Sequence, residues 1–177
     1  MPSSKPDPAV LAEQLAAERP PPPVDRWNPP LSGDMDLRIA RNGTWYHEGT
    51  AFQREALVRL FASILRRDED GYHYLVTPVE KWRIQVEDAP FVAIRVDATG
   101  VGSSQVLTFT TNVGDRVVLD GEHGLCVRGG VPYLHVRRGL EAKVARTVWY
   151  QLADIAVPCG GEMGVWSGGQ FFALGPA

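Results

Sequence analysis

The sequence predicts an α+β protein of two related small units, each a β-hairpin plus an amphipathic helix packed on an antiparallel sheet. Three observations predict it. Asn42-Gly43 lies between two strand-like runs, and that dipeptide is a strong hairpin signal because both residues tolerate positive φ. Leu57, Leu60, Phe61, Ile64 and Leu65 then recur at the spacing that gives a helix one apolar face. A fainter copy of the same hairpin and helix pattern returns at Leu125–Ala153.

Residues 1–30 read as an arm. Asp7-Pro8 can open a short helix running to about Glu18, with Leu11 and Leu15 as its narrow apolar stripe. Pro20–Pro23 forbids helix and favours an extended polyproline stretch. Such a run is either a spacer or a docking motif for a protein partner. Trp27 marks where ordered packing is expected to begin.

The first unit is expected over residues 31–96. With Asn42-Gly43 as the central pair of a type I′ turn, Ala40 faces Trp45, Ile39 faces Tyr46 and Arg38 faces His47. Leu37, Ile39 and Tyr46 then share one face, with Arg38, Ala40, Trp45 and His47 on the other. The helix is expected from about Gln53 to Arg67. Thr50 either caps it or finishes the strand before it, and Arg66 and Arg67 suit its negative end. Tyr72–Val76, Trp82–Glu87 and Phe91–Val96 read as strands, with a Pro-containing bend at Thr77–Lys81.

The polar, Gly-rich stretch Asp97–Ser104 suggests the boundary to a second unit over residues 97–177. Strands are expected at Val106–Thr111, Arg116–Leu119, Leu125–Arg128 and Val131–Val136, and a helix at about Leu140–Ala153. Val165–Ser167 and Gln170–Leu174 form a last hairpin around Gly168-Gly169. At a constant shift, Arg41 matches Arg128, Gly43 matches Gly130, Tyr46 matches Tyr133, Arg59 matches Arg146 and Leu65 matches Leu152. That repeat suggests duplication of one supersecondary unit and a cleft between the copies, where small ligands prefer to bind.

A chain of 177 residues with 44% hydrophobic and 22% charged residues has the composition of a globular protein. Its net charge of −3 argues against a nucleic-acid polymer as partner. No apolar run approaches the roughly 18–20 residues of a membrane span, so no membrane insertion is expected. Residues 1–23 lack the pattern of a signal peptide, and the two cysteines form no CxxC, which together suggest the reducing cytoplasm. Cys126 reads as a small buried hydrophobe, and Cys159 as a loop residue. No metal-ligand spacing, GxSxG, Walker loop or dinucleotide fingerprint occurs, so no metal, cofactor or catalytic residue is assigned. A hydrolase pairing Cys159 with a histidine is the less favoured enzyme reading.

Several blocks carry a family resemblance. They are Gly33–Arg41, Gly43–Tyr46, Glu48–Thr50, Leu57–Phe61, Val76–Lys81, Val86–Phe91, Phe109–Asn112 and Gly139–Ala142. Over about residues 24–175 the chain resembles the bacterial domain-of-unknown-function family 1285. The resemblance implies a duplicated core and a C-terminal half similar to pleckstrin-homology folds. It further implies a ligand site where the halves meet, a nucleotide-like ligand and a part in signal transduction.

The leading expectation is therefore a regulatory module that binds a small anionic or nucleotide-like ligand. Its candidate contacts are Thr77, Glu80, Lys81 and Trp82 from the first unit. From the second come Thr110, Asn112, Tyr133, Arg137, Arg138 and Arg146. Lys and Arg supply charge for an anion, Asn and Thr can read a polar edge, and Trp or Tyr can stack. The alternative is a protein-interaction adaptor that uses the pleckstrin-like half and the Pro-rich arm.

Overall fold

Met35, Leu37 and Ile39 alternate with polar residues, and Gly33–Ile39 forms strand β1 in the computed structural model, which describes residues 7–8 and 22–177. The chain turns back into β2 (Trp45–His47) and again into β3 (Thr50–Ala51). The turn differs from the type I′ expectation. The Gly43 N–H donates to the Ala40 carbonyl at 2.9 Å, and the Ala40 N–H to the Thr44 carbonyl at 2.9 Å. Gly43 alone of the three loop residues has positive φ, at 90°, so this is a three-residue loop closed by a bulge. The register moves by one: Leu37 pairs with His47, Arg38 with Tyr46 and Ile39 with Trp45. Such a slip exchanges faces. Trp45 goes into the core beside Ile39, while the Arg38 guanidinium lies 4.5 Å from the Tyr46 ring on the opposite face.

Helix α1 (Glu55–Ser63) is shorter than the apolar spacing suggests, and it starts without a side-chain cap from Thr50, which belongs to β3. Ile64 caps it, and Leu65–Arg67 becomes strand β4 rather than a last helical turn. Leu65 fits either periodicity; its pairing with Leu75 decides for the strand. Arg66 does not serve a helix end either. It binds Asp68 at 2.6 Å and donates to the carbonyls of Val24 and Trp27 at 2.8 and 2.7 Å. Strands β5 (His73–Val76) and β6 (Lys81–Val86) complete the sheet.

This first sheet runs β3-β2-β1-β6-β5-β4. All neighbours are antiparallel except the central pair, β1 with β6, which is parallel, so the expected purely antiparallel sheet is mixed. Ile39, Phe61, Ile64, Leu65, Leu75 and Val76 form its fully buried core.

The second unit begins earlier than the Gly-rich stretch at 97–104. The compact units divide at Asp88/Ala89, because β7 (Phe91–Thr99) pairs with β8 (Val106–Thr111) and not with the strands before it. Next come β9 (Arg116–Val118), β10 (Leu125–Arg128), β11 (Val131–Arg137) and β12 (Leu140–Val144). The stretch 140–144 was expected to be helix. Leu140, Ala142 and Val144 are instead buried in strict alternation, since β12 lies beside β7 in parallel. Helix α2 (Arg146–Ile155) starts only afterwards, with Val148 and Leu152 buried, so the gap-free repeat fails to extend through the helix.

The second sheet runs β10-β11-β12-β7-β8-β9. Numbered within their own sheets, the strands of both follow one order, 3-2-1-6-5-4, with a single parallel join between first and last. A third sheet, β13 (Val157–Cys159), β14 (Glu162–Ser167) and β15 (Gln170–Pro176), packs on the second. The buried Ser167 hydroxyl accepts from the Leu107 N–H at 3.0 Å. Among the described residues the protein is thus mostly β, with two α-helices. The arm helix expected to run to Glu18, and most of the proline run, lie outside the described residues.

Candidate functional site

The second unit carries an open pocket of about 400 Å³, lined by Asp115–Val118, Asp120, His123, Val136 and Arg137. Its wall begins at a tight turn after β8. Thr111 is 1% exposed, and its hydroxyl accepts from the Asp115 N–H at 3.1 Å. The Asp115 carbonyl accepts from the Thr111 N–H at 2.8 Å, and Gly114 (φ 93°) allows the reversal. These bonds set Asp115 at the base of β9. Val117 then points into the core, while Arg116 and Val118 are exposed.

After β9 the chain makes a second polar turn. Asp120 Oδ1 accepts from the backbone N–H of Glu122 at 2.9 Å and of His123 at 2.8 Å, a side chain standing in for a backbone turn. The same oxygen lies 2.9 Å from His123 Nδ1. Burial pushes the Asp120 carboxyl up, but these hydrogen bonds outweigh it and hold the group below the usual carboxylate range. The His123 ring stacks on His135, centroids 6.3 Å apart. His135 Nε2 accepts from the Gly139 N–H at 3.0 Å, so its Nδ1 carries the proton that the Glu122 carbonyl accepts at 2.9 Å. That network fixes the orientation of the His135 ring.

Arg137 reaches the pocket from β11, just past a register shift between His135 and Arg137. Its Nη1 donates to Asp115 Oδ2 at 2.6 Å, and its guanidinium lies 5.1 Å from the Phe91 ring. The lining therefore pairs Arg137 with Asp115 and His123 with Asp120, and leaves Arg116 with no carboxylate partner among the described residues.

The ligand residues expected from the sequence divide between the units, and each set is taken in its own. In the second, Arg137 lines the pocket and Thr110 is the register partner of Arg116. Asn112 pins β8 to β7 through two bonds with Val92, at 2.8 and 2.9 Å. Tyr133 is buried beneath the Arg128 guanidinium, 4.0 Å from its ring. Two 2.9 Å hydrogen bonds from Arg128 to Glu141 push the Arg128 pKa above its ordinary value. Arg138 is an exposed turn residue at φ 50°, and Arg146 is the exposed first residue of α2.

In the first unit, the Thr77 hydroxyl accepts from the N–H groups of Val79 and Glu80 at 3.3 and 2.9 Å, so both serve the bend. Lys81 pairs with Asp68 at 2.6 Å and lies 4.3 Å from the Tyr74 ring. Trp82 covers Gly33, where a Cβ would come within 3.2 Å of its ring. Cys126, expected to be buried, is exposed because it alternates with Leu125 and Val127 and lies with Arg128 on the outer face of β10; Cys159 is exposed on β13.

Sequence reasoning missed Asp115, Arg116, Asp120 and His123. A signal existed in the polar run Asp120-Gly121-Glu122-His123-Gly124, where an Asp three residues before a His can cap a turn and hold the ring. That Arg116 and Arg137 approach this turn follows only from strand pairing.

Residues 22–89 match the family model described as the N-terminal domain of a domain of unknown function, DUF1285. Residues 90–174 match that of the C-terminal domain. A solved DUF1285 family protein from Silicibacter pomeroyi DSS-3 is 46% identical, with a TM-score of 0.91 over 98% of this chain and 97% of that one. Another from Shewanella baltica OS155 is 30% identical, with a TM-score of 0.56 over 68% of this chain and 91% of that one. No curated protein matches. Among the described residues, no helix is long and apolar enough to cross a membrane, and no group of three or more His, Cys, Asp or Glu could hold a metal ion.

Proposed function

Because the chain belongs to the DUF1285 family, whose N-terminal and C-terminal domains it carries in that order, we propose that it is a regulatory module that binds a small anionic or nucleotide-like ligand within its second unit. The observation that carries the reading is Arg116, a guanidinium on the wall of the pocket that Arg137 also lines, with no carboxylate partner among the described residues. Two guanidiniums on one concave surface offer the forked donors that suit phosphate and carboxylate groups. The pleckstrin-homology likeness belongs to the same proposal, supported by two antiparallel meanders followed by a helix.

The test is a thermal-shift screen of the full chain with nucleotides, cyclic nucleotides, phosphomonoesters and small carboxylates, repeated on Arg116→Ala. A ligand present at 100 times its Kd stabilises a protein by about 2.7 kcal/mol, a shift of several degrees for a chain of this size. The expected result is that at least one class raises the melting point of wild type and not of the variant. If none moves it, or if both proteins respond alike, the reading falls.

A further inference from the structure

The charges around the pocket suggest what kind of anion it takes. Arg116 and Arg137 are offset by Asp115 and Asp120, so with His123 neutral the lining is balanced and an anion gains little from it. Protonating His123 tips the balance to net positive. Asp120 stays ionised because its hydrogen bonds hold its carboxyl below the usual range, so a charge added to the imidazole is not cancelled by a proton on the carboxylate.

The hydrogen bonds specify what that proton does. His123 Nδ1 is committed to Asp120 at 2.9 Å, so a proton gained by the ring goes on Nε2 and converts it from acceptor to donor. The other charged and titratable groups facing this ring are His135, against which it stacks, Glu122 in its own turn, and the lining residues Arg116, Arg137 and Asp115. Both ring nitrogens of His135 are taken by backbone partners. Arg137 donates through Nη1 to Asp115.

Resting on the anion-binding reading above, we propose that the ligand is a phosphomonoester, taken by its terminal dianion between Arg116, Arg137 and protonated His123, with Asp120 orienting the imidazole. Three donors on three separate segments suit a tetrahedral group with three free oxygens. A diester keeps only two, and one charge. No bond is made or broken in this step; one proton is taken up from solvent as the ligand binds.

The experiment is calorimetric titration of the full chain with sulfate, methyl phosphate and dimethyl phosphate at pH 5.5 and pH 8, on wild type, His123→Gln and Arg116→Ala. Sulfate is a dianion throughout, so any change in its affinity reports on the protein. Sulfate is expected to bind about tenfold more tightly at pH 5.5, the worth of one charge-assisted hydrogen bond. His123→Gln should bind it weakly at both pH values, and Arg116→Ala should lose it. In NMR titration with sulfate the His123 ring resonances should move more than those of His135.

Sulfate affinity that is the same at both pH values, or pH dependence that survives His123→Gln, overturns the proposal while leaving anion binding intact. So does dimethyl phosphate binding as tightly as methyl phosphate. A chain that binds carboxylates and none of these three probes overturns the ligand class alone. Failure of every small anion to bind at either pH overturns this proposal together with the reading it rests on.

Discussion

At Gly164 a Cβ would stand 2.2 Å from the Phe172 carbonyl oxygen and 2.6 Å from the Phe171 ring, closer than any side chain tolerates. The position is a register shift in β14, where the strand bends against β15. Gly164→Ala is therefore expected to cost about 2–3 kcal/mol through overpacking, read as a melting point several degrees lower. A variant that melts with wild type would mean that β15 gives way at no cost. Asp68 is a second residue whose worth can be read in solution. Burial pushes its carboxyl up, but the hydrogen bonds of Arg66 and Lys81, each 2.6 Å away, hold it below its ordinary value of 3.8. A depressed folded pKa stabilises the protein above the unfolded value, and the gain is lost as pH falls through the folded one. Asp68→Asn should be about 2 kcal/mol less stable than wild type in urea at pH 7, with the gap closing as pH falls below the ordinary carboxyl value of 3.8. A gap that stays constant with pH would show that the ion pairs add nothing.

At the scale of elements, the hairpin shows what the sequence could and could not say. Asn42-Gly43 marks the turn correctly, yet that dipeptide serves a two-residue loop and a bulged three-residue loop alike. The one-residue difference sends Trp45 inward, and it depends on the core that Trp45 joins, stacked 6.5 Å from Phe61. Gly43→Ala places a side chain at φ 90° and should cost about 1–2 kcal/mol, seen in the urea midpoint. An unchanged midpoint would argue for a turn that re-forms without positive φ. The two helix boundaries were misjudged for one shared reason. Leu65 on β4, and Leu140, Ala142 and Val144 on β12, belong to strands whose partners, β5 and β7, lie elsewhere in the chain. Periodicity over a few residues cannot separate a helical turn from a strand when both present apolar positions. Strands whose neighbours follow in sequence, such as β8 and β10, were legible to the residue.

At the scale of the molecule, the duplication lies in the sheets more than in the hairpin and helix. Both six-stranded sheets share one strand order, but the helix follows the third strand in the first and the sixth in the second. Strand order is a tertiary property that no local pattern encodes, so the sequence signalled a repeat without its extent. The candidate site was partly legible for the same reason: Arg137 was visible as a cation, while its meeting with Arg116 and His123 depends on which strands neighbour. Each sheet is completed by residues of its own unit, and Ala89–Ala177 carries its own buried core. A fragment of residues 89–177 is expected to fold alone, with a β-rich circular dichroism spectrum and a cooperative melt; a non-cooperative melt would refute its autonomy. The central parallel join also has a consequence for synthesis. As the chain leaves the ribosome, β1 waits with an open edge until β6 emerges, and β7 waits likewise for β12. Each half-built sheet exposes unpaired backbone for most of its own translation, so the nascent chain is most prone to mispair just before residue 86 and again just before residue 144.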